Sequence, residues 1–158
     1  CFRREQLSAG RDVRGIKRVH QFQKVEMVAY TRPEDSWEMH ERMLELEESL
    51  VQLVGLPYRV VNSAVGDLSA AAAKRYDIEA WFPSQERYRE ITSCSNTTDF
   101  QARRSGIRYR TEDGRLETPH TLNGTAATDR WVLSVLENFQ GEVPPALQQY
   151  GAPANVQR

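Results

Sequence analysis

The stretch CFRREQLSAGRDVRGIKRVHQFQKVE, residues 1–26, decides how the rest of the chain is interpreted. Two segments in it, 1–5 and 18–26, alternate their side chains with a period of two, which is typical of β-strands. The connection 6–17 contains Gly, Ser and Asp, so the pattern predicts an antiparallel hairpin with a long loop. One face of this hairpin is expected to carry Arg3, Glu5, Arg18, Phe22 and Glu26. Such a face is poor material for a core and good material for binding a ligand.

Composition sets the broad class of the protein. The chain has 158 residues, 39% of them hydrophobic, and a mean hydropathy of −0.65. These values predict a soluble protein that is large enough for one hydrophobic core. No apolar run approaches the roughly 20 residues of a membrane helix, and no signal peptide is visible. Cys1 and Cys94 form no CxxC pair, so neither a disulfide framework nor a cysteine zinc site is indicated. A cytoplasmic location is expected, and the missing initial Met predicts a piece of a longer protein.

The net charge of −1 argues against a globally basic nucleic-acid binder, but the charge is unevenly distributed. Residues 1–24 hold seven Lys or Arg against two acids, whereas residues 31–50 hold two Arg against seven acids. The sequence therefore places a basic loop, within 1–24, next to an acidic helix, within 31–50. The loop favours phosphate binding, with an ordinary solvated face as the alternative.

A long helix is predicted after the hairpin. Pro33 suits the first turn, Thr31 and Glu34 have the spacing of a capping pair, and Gly55 ends the helix. The acidic residues are expected on its outer face. Its buried stripe is predicted to contain Trp37, Met43, Leu44, Leu46, Leu50, Val51, Leu53 and Val54.

The second half of the chain alternates short strands with two helices. Strands are predicted at 58–62, 77–82 and 88–94, and a hairpin at 107–111 and 116–122. A short helix, 99–104, is expected with Asn96 or Thr97 as its cap. A last helix is expected to open at Asn123-Gly124-Thr125 and to run to Phe139, followed by a turn at 146–150 and a disordered tail from Gly151. The fold class is therefore α+β with a mainly antiparallel sheet flanked by helices.

Three separated motifs carry a resemblance to a known family. Phe-Arg-x-Glu at 2–5 and Arg-Val-His-Gln-Phe-x-Lys-Val-Glu at 18–26 resemble the second class-defining motif of class II aminoacyl-tRNA synthetases, and of seryl-tRNA synthetases in particular. YREITSCSN, 88–96, resembles their catalytic strand. TLNGTA, 121–126, with Arg130 resembles their third motif. The resemblance covers residues 1–150 and implies part of a class II catalytic core, with 151–158 as a tail.

The resemblance implies an ATP-dependent ligase. Such an enzyme joins L-serine to ATP and then transfers the seryl group to the 3′ end of tRNA(Ser); the family generally charges tRNA(Sec) as well. ATP and Mg²⁺ are the implied cofactors, and the longer parent is expected to be a homodimer. The serine carboxylate is ionised at neutral pH, so positioning and charge stabilisation are required rather than a general base.

Individual roles follow from the same resemblance. Arg3 is the implied clamp on the α-phosphate, and Arg130 covers the adenine or the γ-phosphate. The alternatives are an ion pair of Arg3 with Glu5 or Glu26, and a core position for Phe22. The implied ATP-binding set is Arg3, Arg4, Glu5, Arg18, Val19, Phe22, Glu90, Ile91, Thr92, Ser93 and Arg130.

Metal, serine and tRNA contacts complete the expected site. Glu90 is the implied Mg²⁺ ligand, with a salt bridge as its alternative role. Ser93 would lie across the pleat from Glu90 unless the strand bends or bulges. Glu26 is expected to bind the serine ammonium, with Asn123 and Thr125 nearby. The residues expected to contact the tRNA acceptor end are Arg11, Arg14 and Lys17.

Two other functions remain open at this point. One is a synthetase paralogue that loads an amino acid onto a carrier protein. The other is a non-catalytic fragment that binds nucleotide or RNA. Sequence upstream of Cys1 would discriminate them, because a long coiled-coil arm there favours tRNA charging.

Overall fold

Antiparallel pairing organises the chain into a five-stranded sheet with the order β1-β7-β4-β3-β2. The computed structural model describes residues 1–2 and 19–156. A separate two-stranded ribbon, β5 and β6, forms the predicted hairpin over a shorter span, because residues 120–122 of its predicted second strand belong instead to β7 of the main sheet. The strands are β1 (Lys24–Thr31), β2 (Tyr58–Asn62), β3 (Lys74–Phe82), β4 (Arg87–Asn96), β5 (Tyr109–Arg110), β6 (Leu116–Glu117) and β7 (His120–Thr128).

The two longest helices of the described residues pack on one face of this sheet. The helices are α1 (Ser36–Val54), α2 (Phe100–Ser105), α3 (Arg130–Asn138) and α4 (Pro145–Gln148). Short 3₁₀ turns occupy Pro33–Asp35, Val65–Asp67 and Pro83–Gln85. The main core joins side chains of α1, α3, β3 and β4, including Val51, Trp131, Ile78 and Ile91. The predicted α+β class with an antiparallel sheet is confirmed.

The start of α1 differs from the capping-pair prediction. Neither the 3₁₀ turn nor α1 has a side-chain cap hydrogen bond. Thr31 is instead the last residue of β1, where it pairs with His120, and its buried Oγ1 has no hydrogen-bond partner among the described residues. Pro33, with its fixed φ, is enough to begin the turn. Gly55 ends α1 as predicted, with a left-handed φ of 82°.

The buried stripe of α1 is narrower and more polar than predicted. Trp37, Leu46 and Leu53 are exposed, because the buried positions follow a different face of the helix. The prediction that the acidic residues lie on the outer face is wrong for Glu47, which is fully buried. The buried residues of α1 are Ser36, His40, Met43, Leu44, Glu47, Val51 and Val54.

Residues 123–125 are strand, not the opening of a helix as predicted. They lie within β7, and α3 begins only at Arg130. The small residue Gly124 has a packing reason: a Cβ atom there would lie 2.5 Å from Glu47 Oε1 and 3.3 Å from Met43 Cε. Close approach of α1 therefore explains the glycine, which had been interpreted as a helix signal.

The two ends of the described chain are tied to neighbouring backbone. The Phe22 N–H donates to the Cys1 carbonyl at 3.1 Å, and Phe2 forms an antiparallel bridge with Gln21. This agrees with an N-terminal hairpin, although regular strand begins at Lys24. The tail from Gly151 is not disordered as far as residue 156, because it returns along residues 141–143 through two backbone hydrogen bonds. None of the helices in the described part is long and apolar enough to cross a membrane.

The short helix α2 also lacks the predicted cap. Its N-cap residue is Asp99, which makes no side-chain cap hydrogen bond. Asn96 Oδ1 instead accepts from the Thr98 N–H at 2.9 Å, and Thr97 Oγ1 donates to the Thr121 carbonyl at 2.7 Å. Asn96 therefore closes the turn before α2, and Thr97 ties that turn to β7, so neither side chain closes the helix end.

Candidate active site

Polar side chains converge on the sheet face that α1 and α3 leave uncovered. This surface, called the open face below, is defined by Glu26 of β1, Asp77 of β3, Ser93 of β4 and Thr125 of β7. Strand pairing brings these residues together, since Asp77 lies opposite Ser93 and Glu26 lies opposite Thr125. Adjacent strands place such partners within contact range. The open face is therefore the candidate site.

Glu90 and Ser93 reach the same face because β4 contains a β-bulge. Glu90 and Thr92 pair with successive residues of β3, which leaves Ile91 as one extra residue in β4. A bulge of this kind changes which side chains point to which face. The predicted conflict between Glu90 and Ser93 is thus removed, and both side chains lie on the open face.

A second bulge lies in β7. Pairing with β1 leaves Ala126 as an extra residue, so that Thr125 and Thr128 both belong to the open face while Ala127 packs against the core. The Arg130 N–H donates to Thr128 Oγ1 at 3.3 Å. This contact places the first residue of α3 at the end of the open face.

Glu90 and Arg130 face each other across the site. Glu90 Oε1 lies 3.9 Å from Arg130 Nη1, and the Glu90 side chain is 49% exposed. Partial burial, followed by the negative charge of Asp77, raises the pKa of Glu90, while Arg130 and Arg75 oppose that rise. The salt bridge that was the alternative role for Glu90 is therefore represented by this one long contact with Arg130. A carboxylate with little compensation is suited to a cation, and an arginine with a distant partner is suited to an anion.

The predicted serine-binding residues lie together. Glu26 Oε2 accepts hydrogen bonds from Thr125 Oγ1 at 3.0 Å and from Lys24 Nζ at 2.9 Å. Thr125 is buried, whereas Glu26 keeps contact with solvent. Asn123 lies two residues before Thr125, opposite Ser95 of β4. The arrangement offers a carboxylate and a buried hydroxyl to a small polar ligand.

Two members of the predicted ATP-binding set have side chains on the other face. Ile91 and Thr92 are buried against the helices, and Thr92 Oγ1 donates to Glu47 Oε2 at 2.9 Å. Any contact of these two residues with ATP would therefore use their main chain. Val19 and Phe22 precede β1, and both are partly buried.

Several predicted contacts fall on residues that the structure does not describe. They are Arg3, Arg4, Glu5, Arg11, Arg14, Lys17 and Arg18. The phosphate clamp, the adenine contact and the contacts with the tRNA acceptor end therefore remain predictions from the sequence.

Sequence reasoning gave no role to a buried polar group at the edge of the open face. Asp77 accepts a hydrogen bond from Ser63 Oγ at 2.6 Å, and Arg75 binds both of its carboxylate oxygens at 3.0 Å. This pair contributes charge to the surroundings of Glu90. Asp77 lies in the strand predicted at 77–82, but its position beside Ser93 depends on the strand pairing.

The carboxylates of the open face fit a magnesium site shared with a phosphate ligand. No group of three or more His, Cys, Asp or Glu within the described ranges could hold a metal ion alone. Mg²⁺ commonly takes one or two carboxylates and completes its shell with waters and substrate phosphates. Glu90 fits that pattern because its side chain is half-exposed, while burial and then the charge of Asp77 raise its pKa and so favour a bound cation.

The antiparallel sheet with its polar open face is consistent with one protein class, which the comparison with family models identifies. The chain belongs to the family described as the tRNA synthetase class II core domain (G, H, P, S and T), whose sequence profile matches residues 1–139. The resemblance noted in the sequence is confirmed.

Individual relatives are named for serine. The chain is 56% identical over 155 residues to the serine–tRNA ligase of Beutenbergia cavernae, covering 95% of this chain and 37% of that protein. It is similar to a crystal structure of seryl-tRNA synthetase from Pyrococcus horikoshii complexed with ATP, at TM-score 0.92 and 48% identity over 99% of this chain and 37% of that one. The serine–tRNA ligase of Naegleria fowleri in complex with AMP matches at TM-score 0.83 and 43% identity, over 94% and 37% of the two chains. The chain thus spans a little over a third of the length of these relatives.

Proposed function

We propose that the protein carrying this chain is a serine–tRNA ligase, which activates L-serine with ATP and transfers the seryl group to the 3′ end of tRNA(Ser). The observation that carries the proposal is the hydrogen bond between Thr125 and Glu26 on the same open face as Glu90 and Arg130. Groups suited to a small zwitterion and groups suited to a nucleotide are thereby joined in one site. Relatives named for this activity support the choice.

The first half-reaction needs two anions held together. The serine carboxylate attacks the α-phosphorus of ATP, and pyrophosphate leaves. Arg130 supplies a fixed positive charge at the start of α3, where the helix dipole adds to it. Glu90 would hold Mg²⁺, which supplies charge neutralisation on the phosphates. Arg3 is proposed as the clamp on the α-phosphate, and Phe22 as an apolar contact for the adenine.

Serine selection is proposed to come from hydrogen bonding. Glu26 binds the ammonium group, for which the Lys24 ammonium is a stand-in at 2.9 Å. Thr125 and Asn123 offer polar groups to the hydroxyl. A buried group that pairs with a substrate hydroxyl rejects an analogue lacking it strongly, since the group is then left unsatisfied.

The finer partners belong to the proposal as well. Arg11, Arg14 and Lys17 are proposed to contact phosphates of the tRNA acceptor end. The whole protein is proposed to be a cytoplasmic homodimer that also charges tRNA(Sec). Residues 1–150 are proposed as part of its catalytic domain.

Amino-acid-dependent ATP–pyrophosphate exchange by the whole protein tests this function. Exchange with serine, together with serine-dependent charging of tRNA(Ser), is expected. Exchange with alanine or glycine instead would overturn the serine assignment. Activation of serine without charging of any tRNA would favour the carrier-protein alternative, and nucleotide binding without exchange would favour the non-catalytic one. The 158-residue chain alone is expected to be weakly active or inactive.

A further inference from the structure

Polar groups join α1 to the back of β4, although both elements belong to the core. The contacts follow one face of the helix and the inward-pointing residues of the strand. They are Asn96 Nδ2 to the Ser36 carbonyl at 3.2 Å, His40 Nε2 to the Cys94 carbonyl at 3.0 Å, and Thr92 Oγ1 to Glu47 Oε2 at 2.9 Å. Thr92, Cys94 and Asn96, at alternate positions of β4, are therefore held from behind by α1.

Glu47 is the unusual member of this series. It is fully buried, and its Oε1 has no hydrogen-bond partner within the described residues. That oxygen lies against Gly124, where a Cβ atom would approach it to 2.5 Å. Burying a carboxyl group without full hydrogen bonding is costly, so apolar packing alone does not explain this choice of side chain.

The position of Thr92 indicates what Glu47 does. Thr92 is the first residue after the extra residue Ile91, so it fixes where regular pairing of β4 resumes. If the bulge moved by one residue, Glu90 or Ser93 would turn to the core face. On the core face, Thr92 is anchored to α1, because its Oγ1 donates a hydrogen bond to Glu47 Oε2.

We propose that Glu47 is a positioning residue for the nucleotide site: its hydrogen bond with Thr92 fixes the Ile91 bulge and thereby keeps Glu90 and Ser93 together on the open face. The inference rests on the ATP-binding part of the proposed function and does not depend on the choice of amino acid.

The charges around Glu47 fit a neutral anchor. Glu26 of β1 and Asp77 of β3 are the carboxylates that act on it through space, and burial together with these charges raises the pKa of Glu47 to about 8. Its hydrogen bond with Thr92 opposes this rise. Cys94 of β4 is a neutral thiol, because burial and then Glu47, Glu41 and Glu26 raise its pKa. On α1 itself, His40 is kept neutral by burial, which lowers its pKa. A neutral Glu47 can anchor β4 without adding negative charge behind a phosphate site.

The test uses the whole protein and variants on both sides of the contact. Glu47→Leu and Thr92→Val each remove the hydrogen bond at nearly constant volume, and Glu47→Gln retains an acceptor for Thr92. Glu48→Gln is the matched control, because Glu48 is the next residue of α1 and accepts a hydrogen bond from the hydroxyl of Tyr58, at the margin of the core, at 2.9 Å. The measurements are KM for ATP and kcat in pyrophosphate exchange, ATP affinity by calorimetry, and the fraction of folded protein.

We expect Glu47→Leu and Thr92→Val each to weaken ATP binding and raise its KM by about fivefold or more, and the double variant to be no worse than the poorer single one. Glu47→Gln and Glu48→Gln should stay near the wild type at pH 7. A purely structural role would lower kcat with the folded fraction and leave KM for ATP unchanged, and that result in Thr92→Val would overturn the proposal. So would a rise in KM with Glu47→Gln as large as that with Glu47→Leu.

The calorimetry separates this inference from the proposed function. If the wild type binds ATP but shows no serine-dependent exchange, the function is wrong, and loss of ATP affinity in Thr92→Val still supports the role of Glu47. If Glu47→Leu does not fold, Thr92→Val alone decides. An unchanged ATP affinity in a folded Thr92→Val variant overturns the inference whatever the exchange assay gives.

Discussion

The two faces of β4 adjoin carboxyl groups in opposite environments, one on β4 itself and one on α1. Glu90 points to the open face, is half-exposed and lies 3.9 Å from Arg130. Glu47 reaches the same strand from behind and is fully buried against Thr92. The pKa of each is raised, in both cases first by burial. The difference is access: a group beside water can exchange its partner for a ligand, whereas a sealed group can only hold its neighbour in place.

The largest effect that separates the two faces should be a pH-dependent stability due to Glu47. Its pKa is 4.5 when exposed and about 8 when buried, so the folded state binds more protons between these values. Stability from this group is therefore complete below pH 4.5 and is lost as the pH rises to about 8. In Glu47→Gln this loss is absent. Between pH 5 and pH 9, the unfolding free energy of the variant should therefore rise by about 4 kcal/mol relative to that of the wild type.

Urea denaturation at several pH values checks this prediction. The two curves should cross, because the buried amide of Glu47→Gln lacks a partner for its extra hydrogens and makes the variant equal or weaker at pH 5. Other titrating groups, including His40, are common to both proteins and cancel in the difference. A constant difference from pH 5 to pH 9 would show that Glu47 does not titrate in this range.

On the open face the corresponding change is Arg130→Ala, which should affect catalysis rather than stability. Removing a charge that stabilises the transferring phosphate is expected to lower kcat/KM in pyrophosphate exchange by about 10²-fold, or about 3 kcal/mol. The unfolding free energy should change by less than about 1 kcal/mol, because the contact with Glu90 is long and partly exposed. Arg103→Ala is the control, since Arg103 forms a surface pair with Asp99 at 2.7 Å.

Much of the open face could be predicted from the sequence, because it depends on local patterns. Alternation in 77–82 and 88–94 identified β3 and β4, and the motif containing Glu90 and Ser93 identified the chemistry. That both side chains share a face could not be predicted. The bulge at Ile91 is a property of the β3–β4 pairing, and a single strand read alone contains no sign of it.

The opposite face was less predictable, for a physical reason. Seven acids in residues 31–50 suggested one solvated face, and nothing local distinguishes Glu47 from Glu45 or Glu48. Only packing shows that Glu47 points toward Thr92. Likewise, Gly124 suggested the start of a helix, whereas its small size is required by contact with α1 in the middle of a strand. Burial by distant parts of the chain overrides local preference at both sites.

The contact between Glu47 and β7 gives a smaller effect. Gly124→Ala should destabilise the fold by about 2 kcal/mol, because the added Cβ meets Glu47 Oε1 at 2.5 Å and Met43 Cε at 3.3 Å. Gly66→Ala is the control, since no atom lies within 4 Å of its Cβ position. In a Glu47→Ala background the effect of Gly124→Ala should shrink. Additive penalties would mean that backbone conformation, rather than the carboxyl group, requires the glycine.

The smallest effect on stability is expected on the outer side of α1, at Leu46. The sequence predicted that Leu46 is buried in the core, but the structure shows it exposed. Leu46 is 46% exposed, whereas Leu44, two residues earlier, is 8% exposed. Leu46→Gln should change the unfolding free energy of the 158-residue chain by less than about 0.5 kcal/mol. Leu44→Gln, which buries an amide in the core, provides the reference and should be strongly destabilising. A cost above about 1 kcal/mol for Leu46→Gln would mean that the outer side of α1 is covered in solution, because only a side chain removed from water can lose that much by becoming polar.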